Sequence, residues 1–265
     1  MWAYRLPGAL YHILNKNHIY NTRIMGFHLA VTTRLAAIAT LVCCVSGCAA
    51  TTAGTATPAA PVPLTTEAGL PTLLLSASDV GSALGGQQTG EQMVVTREVS
   101  TPWDHSAHFP AGTDPGCLAI TGAAQAAVYD GSGWTALRAQ VLREPPSAPM
   151  WSHFATQAVV LFADAEAAAA FFSRSRDAWA GCSGREMTYA QQLAPDQVWS
   201  VGPAVSDAGM LTVSRAQRVP EQWSCQRALT VRGNVAVDVE ACSLDGPTSA
   251  AATIVGAIGE RLPAA

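Results

Sequence analysis

Cationic charge is scarce in this chain. Its 265 residues include 15 basic ones, and only Lys16 is a lysine. From Cys48 onward, eleven arginines stand against all 19 acidic residues, a net charge of −8. Such a balance excludes nucleic acid and anionic lipid as charge-driven partners, since both recruit faces rich in Lys and Arg. Long apolar runs are missing as well. The best, Leu35 to Val45, falls short of the about 20 residues that a membrane-crossing helix needs. No GxSxG, HExxH, P-loop or GxGxxG motif is present. After Cys48 the histidines are His105, His108 and His153. Without a CxxC or a Cys/His pair at finger spacing, a zinc site is disfavoured. His105 and His108 offer two nitrogens on a turn, but a solvated loop is the simpler reading. A Ser/His/Asp triad is set by space rather than by order, and nothing in the sequence supports one. No catalytic residue, metal or cofactor is therefore assigned.

What the chain does carry is an export signal. Arg34 precedes the apolar run Leu35 to Val45, and small residues Ser46 and Gly47 lead to Cys48. A basic residue, a short apolar core and a small-residue end describe a secretory signal. Val45-Ser46-Gly47-Cys48 also resembles a bacterial lipobox, which implies acylation of the Cys48 thiol and cleavage before it. A short buried helix and an uncut membrane span are the alternatives. Met25 begins a more ordinary signal than Met1 does, so translation is expected to start there. Residues 1–47 are thus a signal peptide. Residues 48–69, rich in Ala, Thr and Pro, form a lipidated flexible stalk spanning roughly 25 Å. Residues 70–265 form one folded domain, long enough for a proper core.

Cys43 and Cys44 leave with the signal, so Cys117, Cys182, Cys225 and Cys242 remain. An even number in an oxidising compartment reads as disulfides. Trp223 to Ser243 fixes a pairing. Gly233-Asn234 suits a two-residue hairpin turn with positive φ, and residue i then faces residue 467 − i. Cys225 falls opposite Cys242 in a non-hydrogen-bonded pair, near the separation a disulfide needs. The same register puts Arg227 opposite Glu240 as an ion pair. It also gathers Val235, Val237, Val239 and Ala241 on one apolar face. Of the three possible pairings, this one leaves Cys117 with Cys182.

The other elements read in order. Leu70 to Gly85 is a loop and a short helix closed by Gly85-Gly86. Met93 to Val99 is an edge strand, Thr101 to Gly116 a loop, and Cys117 to Val128 an Ala-rich helix. Trp134 to Arg143 and His153 to Phe162 alternate as strands, separated by Pro145, Pro146 and Pro149. Asp164 caps a helix to Ala180, with Arg174 and Arg176 near its end and Gly181 in the left-handed position. Strands are expected at Glu186–Ala190, Gln197–Val201 and Met210–Ala216. Pro247 to Leu262 closes the chain as a helix burying Ala251, Ile254, Val255, Ile258 and Leu262.

The stretches LLLSASDVGSALG, GSGWTALRAQVLREPP, QAVVLFADAEAAAAFF, DAWAGC, VWSVGP and CQRALTVRGNVAVDVEAC resemble the PknH-like extracellular sensor domain of mycobacteria. They run in order from Leu70 to the Ala-rich last helix. Cysteine spacings of 65 and 17 add to the match. That family occurs at the outer end of a receptor serine/threonine kinase and in free lipoproteins. The resemblance implies an α+β fold, an antiparallel β-sheet packed by helices, as a single domain with a cleft. It implies two disulfides, 117–182 and 225–242, in agreement with the register. This chain carries no kinase domain, so a signalling role does not follow from the resemblance.

Polar groups on the sheet supply candidate ligand-binding residues: Arg138, Gln140, Gln157, Arg227 and Glu240, with Asp238 beside them. A solvated face is the competing reading. Six tryptophans follow Cys48 (Trp103, Trp134, Trp151, Trp179, Trp199 and Trp223), and one or two suit the wall of an apolar cleft. The leading reading is a lipid-anchored, extracytoplasmic binding or sensor module. Its partner is an unknown small molecule or envelope lipid in the cleft, with the membrane reached through the N-terminal anchor and no nucleic acid. An envelope scaffold acting through a protein partner is the second reading, and an unrecognised hydrolase the third.

Overall fold

A computed structural model describes residues 64–85, 92–109, 113–145, 151–191, 195–218, 223–244 and 246–263. The expected signal, Cys48 and the stalk up to residue 63 lie outside these residues, as do Gly86, Pro146 and Pro149.

The chain enters through two short helices, α1 (Leu70–Leu73) and α2 (Ala77–Ala83). Ser76 begins α2 with a capping box: its hydroxyl accepts from Asp79 N at 3.1 Å, and the Asp79 carboxylate accepts from Ser76 N at 3.3 Å. Strand β1 (Val94–Val99) follows, then one-turn helices α3 (Pro115–Leu118) and α4 (Ala126–Tyr129). Strands β2 (Trp134–Arg143) and β3 (His153–Phe162) complete an antiparallel meander with β1 at its edge. Helix α5 (Ala165–Cys182) then carries the chain to the far edge of the sheet. From there β4 (Glu186–Tyr189), β5 (Gln197–Val201), β6 (Val205–Asp207), β7 (Met210–Gln217), β8 (Ser224–Arg232) and β9 (Val235–Ser243) return to the middle. The two halves meet where β3 pairs with β9, giving the order β1-β2-β3-β9-β8-β7-β5-β4, with β6 on β7. Helix α6 (Ala250–Glu260) ends the fold.

Two cores explain why β3 and β9 read as near-continuous apolar runs. On one face, Val235, Val237, Val239 and Ala241 pack with Ile254, Val255 and Ile258 of α6 and with Leu70 and Leu73 of α1. On the other, Ala158, Val160, Phe162 and Ala236 pack with Phe171 and Trp179 of α5 and with Tyr129 of α4. Successive side chains alternate faces, so a strand covered on both sides is apolar at nearly every position. Full burial of one such Ile or Val stabilises by about 1.5–3 kcal/mol.

The β8–β9 register is as the sequence implies: Cys225 faces Cys242, Arg227 faces Glu240 and Arg232 faces Val235. The two disulfides are Cys117–Cys182 and Cys225–Cys242, with Cα separations of 5.3 and 4.0 Å. Several expectations are corrected. Leu70–Leu73 is helical rather than loop. The expected helix from Cys117 to Val128 is two single turns separated by bends, because Ala124 sits at φ 56 and breaks the repeat. Helix α5 runs through Gly181 to Cys182, and Gly184 (φ 74) takes the left-handed position. Arg174 and Arg176 therefore lie before the last turn. Strand β6, three residues long, is too short to show a period. At the β8–β9 turn only Gly233 has positive φ, 56°, and Asn234 does not.

The segment assigned to the stalk is docked from Thr65. Thr65 N donates to Asn234 Oδ1 at 2.9 Å, and Asn234 Nδ2 donates to Thr65 O at 3.0 Å. Glu67 pairs with Arg138 at 3.0 Å.

Candidate ligand-binding site

On the α5 face, the registers stack side chains into rows that cross four strands. The outermost row is Phe154 of β3, Cys242 of β9, Cys225 of β8 and Arg215 of β7. The next is Thr156, Glu240, Arg227 and Val213. Beyond it come Ala158, Asp238, Leu229 and Leu211. The strands thus change from apolar to polar along this face.

The ion pairs run along diagonals between rows. Arg227 pairs with Asp238 rather than with Glu240 opposite, and Arg215 pairs with Glu240. Diagonal neighbours lie within reach of a long side chain. The expected Arg227–Glu240 pair is corrected accordingly. Arg227 is 2% exposed. It also donates to the carbonyls of Ala119 and Gly122 and to Val239 O, and its guanidinium lies 5.2 Å from the Trp179 ring centroid. Asp238 further accepts from Ala124 N at 2.9 Å and from the Tyr129 hydroxyl at 3.0 Å. Burial, and then the Asp238 charge, push the Tyr129 phenol far above its usual pKa, so it stays a donor. This deeper pair ties the bend 119–124 to the sheet.

The Arg215–Glu240 pair lies nearer the surface. Burial lowers Arg215 and raises Glu240 from their ordinary pKa values, because neither charge is well solvated there. Arg215 Nε is buried without a hydrogen-bond partner. The guanidinium lies 4.8 Å from the Trp199 ring centroid.

Above this pair is a cavity of about 300 Å³, open to solvent. Arg215, Glu240 and the Cys225–Cys242 disulfide lie in it, with Phe154, Trp151, Trp199, Trp223 and Tyr189 as aromatic lining. Gln191, Gln197, Thr121 and His105 supply polar groups. Trp151 and Trp223 pack together at 5.3 Å, and Trp151 is 41% exposed. His105 stacks on Trp103 at 5.8 Å, and His108 stacks on Tyr189 at 4.7 Å. Burial, and then the charge of His108, lower the pKa of His105. An aromatic-walled hollow with a few placed polar groups is the ordinary form of a small-molecule site.

The residues singled out in the sequence do not gather in one place. Arg227 and Glu240 are on the α5 face, and Glu240 lines the cavity while Arg227 lies beneath. Arg138, Gln140 and Gln157 are on the opposite face. Gln157 holds the Leu75 backbone by two bonds of 2.9 Å and donates to Gln140 at 3.0 Å. Gln140 in turn donates to Glu98 at 2.9 Å. Arg138 and Gln140 line a wider hollow of about 640 Å³ with Pro71, Leu74 and Glu98. There Gln140 is bonded to Glu98 and Arg138 to Glu67, and no aromatic side chain among the described residues lines it. Arg215 was not singled out, although Leu211, Val213, Arg215 and Gln217 alternate on one face and signal a polar end to an apolar strand.

Two other clusters do not form a triad or a metal site. His153 Nδ1 lies 2.7 Å from Glu144 and 3.1 Å from Ser152 Oγ. A triad uses opposite ring nitrogens for acid and hydroxyl, and here one nitrogen faces both. Burial works to raise the pKa of Glu144, but the bonds from His153 outweigh it and leave it lowered. Cys225, Glu240 and Cys242 lie within metal-ligand distance of one another, but the sulfurs are joined and the carboxylate is paired with Arg215. No helix among the described residues is long and apolar enough to cross a membrane.

Comparison with known proteins gives a consistent result. A family model described as the PknH-like extracellular domain matches residues 65–261. The serine/threonine-protein kinase PknH of Mycobacterium bovis is 33% identical over 176 residues, 66% of this chain and 28% of that kinase. PknH of Mycobacterium tuberculosis is 33% identical over the same length, 26% of its chain. The present chain thus spans about a quarter of the kinases it matches. The crystal structure of the extracellular domain of PknH from Mycobacterium tuberculosis superposes with a TM-score of 0.66 at 29% identity. That match covers 76% of this chain and 98% of the other.

Proposed function

The chain belongs to the family of PknH-like extracellular domains, and from that premise we propose that it is a lipid-anchored envelope protein whose sensor-like domain binds a small molecule without catalysis. The observation that carries this reading is the cavity over Arg215 and Glu240, with three tryptophans around a polar floor. The extracellular family and the two disulfides support an extracytoplasmic location. The sequence Val45-Ser46-Gly47-Cys48 supports an acyl anchor at Cys48. The serine and histidine at Ser152 and His153 share one ring nitrogen with the acid, which speaks against hydrolysis.

The test is native mass spectrometry of the processed protein. A bound molecule is expected on the wild type and is expected to be lost from Trp199→Ala at a temperature where circular dichroism shows that variant still folded. A bare wild-type protein, or a bound molecule retained at full occupancy by Trp199→Ala, would overturn the assignment of the cavity.

A further inference from the structure

We propose that the cavity takes a neutral, hydroxyl-rich ring, one residue of a glycan; this rests on the reading of the cavity as a binding site. The lining offers two kinds of surface. Trp151, Trp199, Trp223 and Tyr189 present aromatic surface. Arg215, Glu240, Gln191 and Gln197 present donors and acceptors between the rings. A pyranose or furanose has the matching pair of surfaces, a C–H face that lies on an aromatic ring and a rim of hydroxyls that each donate and accept.

Charge excludes the other classes. Arg215 is paired with Glu240, and Arg227 beneath is paired with Asp238, so the floor is electrically balanced. An anion would meet the Glu240 carboxylate, with no lysine in the domain to offset it. A cation would meet Arg215. An acyl chain would cover the pair with hydrocarbon and take from its polar atoms the solvent they still reach at the cavity, which is costly. A hydroxyl serves either member of the pair.

Size points the same way. About 300 Å³ is the lower end of the range for small-molecule sites, roughly 300–1,000 Å³. That suits one sugar ring and not the paired chains of an envelope lipid. The open mouth, with Trp151 exposed at it, admits a ring at the end of a longer chain as readily as a free sugar.

The test is saturation-transfer NMR and titration calorimetry of the full folded protein. The probes are glucose, galactose, mannose and arabinose, then glucuronate, glucosamine and octanoate. At least one neutral sugar is expected to bind at least tenfold more tightly than every charged or acyl probe. Trp199→Ala and, at the exposed rim, Trp151→Ala are each expected to weaken it tenfold or more. Tighter binding of glucuronate, glucosamine or octanoate, lost in Trp199→Ala, would overturn the glycan assignment and leave the cavity standing as a site. Sugar binding that both variants retain places the sugar elsewhere and also overturns it. If no probe binds, a non-glycan adduct on the native protein refutes the ligand class alone, and a bare native protein refutes the class and the site together.

Discussion

Asn234 lies in the Gly233–Asn234 turn, yet its side chain acts on two other segments. Its amide exchanges two hydrogen bonds with the Thr65 backbone and donates to Phe162 O at 3.1 Å. Because its φ is not positive, a β-branched replacement would not be strained there; the cost of any replacement comes from the lost bonds instead. Each is worth about 0.5–1.5 kcal/mol net. Asn234→Ala is expected to lower stability by about 1.5–4.5 kcal/mol and to expose the Thr65 amide to hydrogen exchange. Unchanged Thr65 protection would refute the clamp. His105 gives a second prediction at this scale. Burial, then the His108 charge and lesser repulsion from Arg215 and Arg97, outweigh the attraction of Asp104, so its folded pKa lies below the ordinary 6.5. Its stabilising contribution is full above about 6.5 and is lost as pH falls through that value towards the folded one. Glu240, raised by burial, acts in the opposite sense, with its contribution lost as pH rises. Glu144, lowered by its bonds, acts only below the ordinary carboxylate range. Glu240 acts alike in both proteins, so on going from pH 7 to pH 5 the melting temperature of His105→Gln should fall less than that of the wild type. An equal fall in both proteins would assign the loss to another group.

At the scale of elements, the β8–β9 hairpin was legible because two independent constraints agree. The two-residue loop fixes the sum of paired residue numbers, and the apolar alternation of Val235, Val237 and Val239 fixes which face is inward. Helix α5 was legible from the Asp164 cap, which accepts from Ala167 N at 2.8 Å, and from the stripe of Ala168, Phe171 and Trp179. Single-turn elements such as α3, α4 and β6 contain less than one useful period, so no pattern reveals them. The ion pairs escaped for another reason. Register fixes which Cα atoms oppose, but an arginine spans to the diagonal neighbour, and the groups that hold each guanidinium there, Trp179 with the carbonyls of Ala119 and Gly122 for Arg227 and Trp199 for Arg215, come from distant segments. The cavity escaped because its lining comes from β3, β4, β5, β7, β8 and β9 and from five connecting segments, at His105, Thr121, Trp151, Gln191 and Trp223. The disulfides join distant elements. Cys117–Cys182 ties α3 to the end of α5 across 65 residues, and Cys225–Cys242 closes 17. Loop entropy assigns about 4 and about 3 kcal/mol to them. Urea unfolding of Cys117→Ser/Cys182→Ser and of Cys225→Ser/Cys242→Ser should show losses in that order. Wild-type stability in either double variant would contradict the bridge concerned.

At the scale of the molecule, the entry of the chain and the candidate site sit at opposite ends of β8 and β9. Thr65 is clamped at the Asn234 turn, and the cavity lies at the Cys225/Cys242 end. The strand between them, eight residues from Val235 to Cys242, spans about 23 Å at about 3.3 Å per step. A chain anchored ahead of Thr65 would thus hold the domain by one pole and present the cavity from the other. Attachment and recognition then use separate parts of the structure. This makes the proposed anchor testable apart from the fold. Acyl chains contribute about 0.8 kcal/mol of membrane affinity per buried CH₂, and two chains give stable attachment. Cys48→Ser is expected to move the exported protein from the membrane fraction to the soluble fraction. Its melting temperature and its affinity for the cavity ligand are expected to equal those of the wild type, since the clamp at Asn234 and the walls of the cavity are untouched. A Cys48→Ser protein that stays with the membrane would refute acylation as the means of attachment. A released protein with weakened ligand affinity would show that anchor and cavity communicate, contrary to their placement at opposite poles.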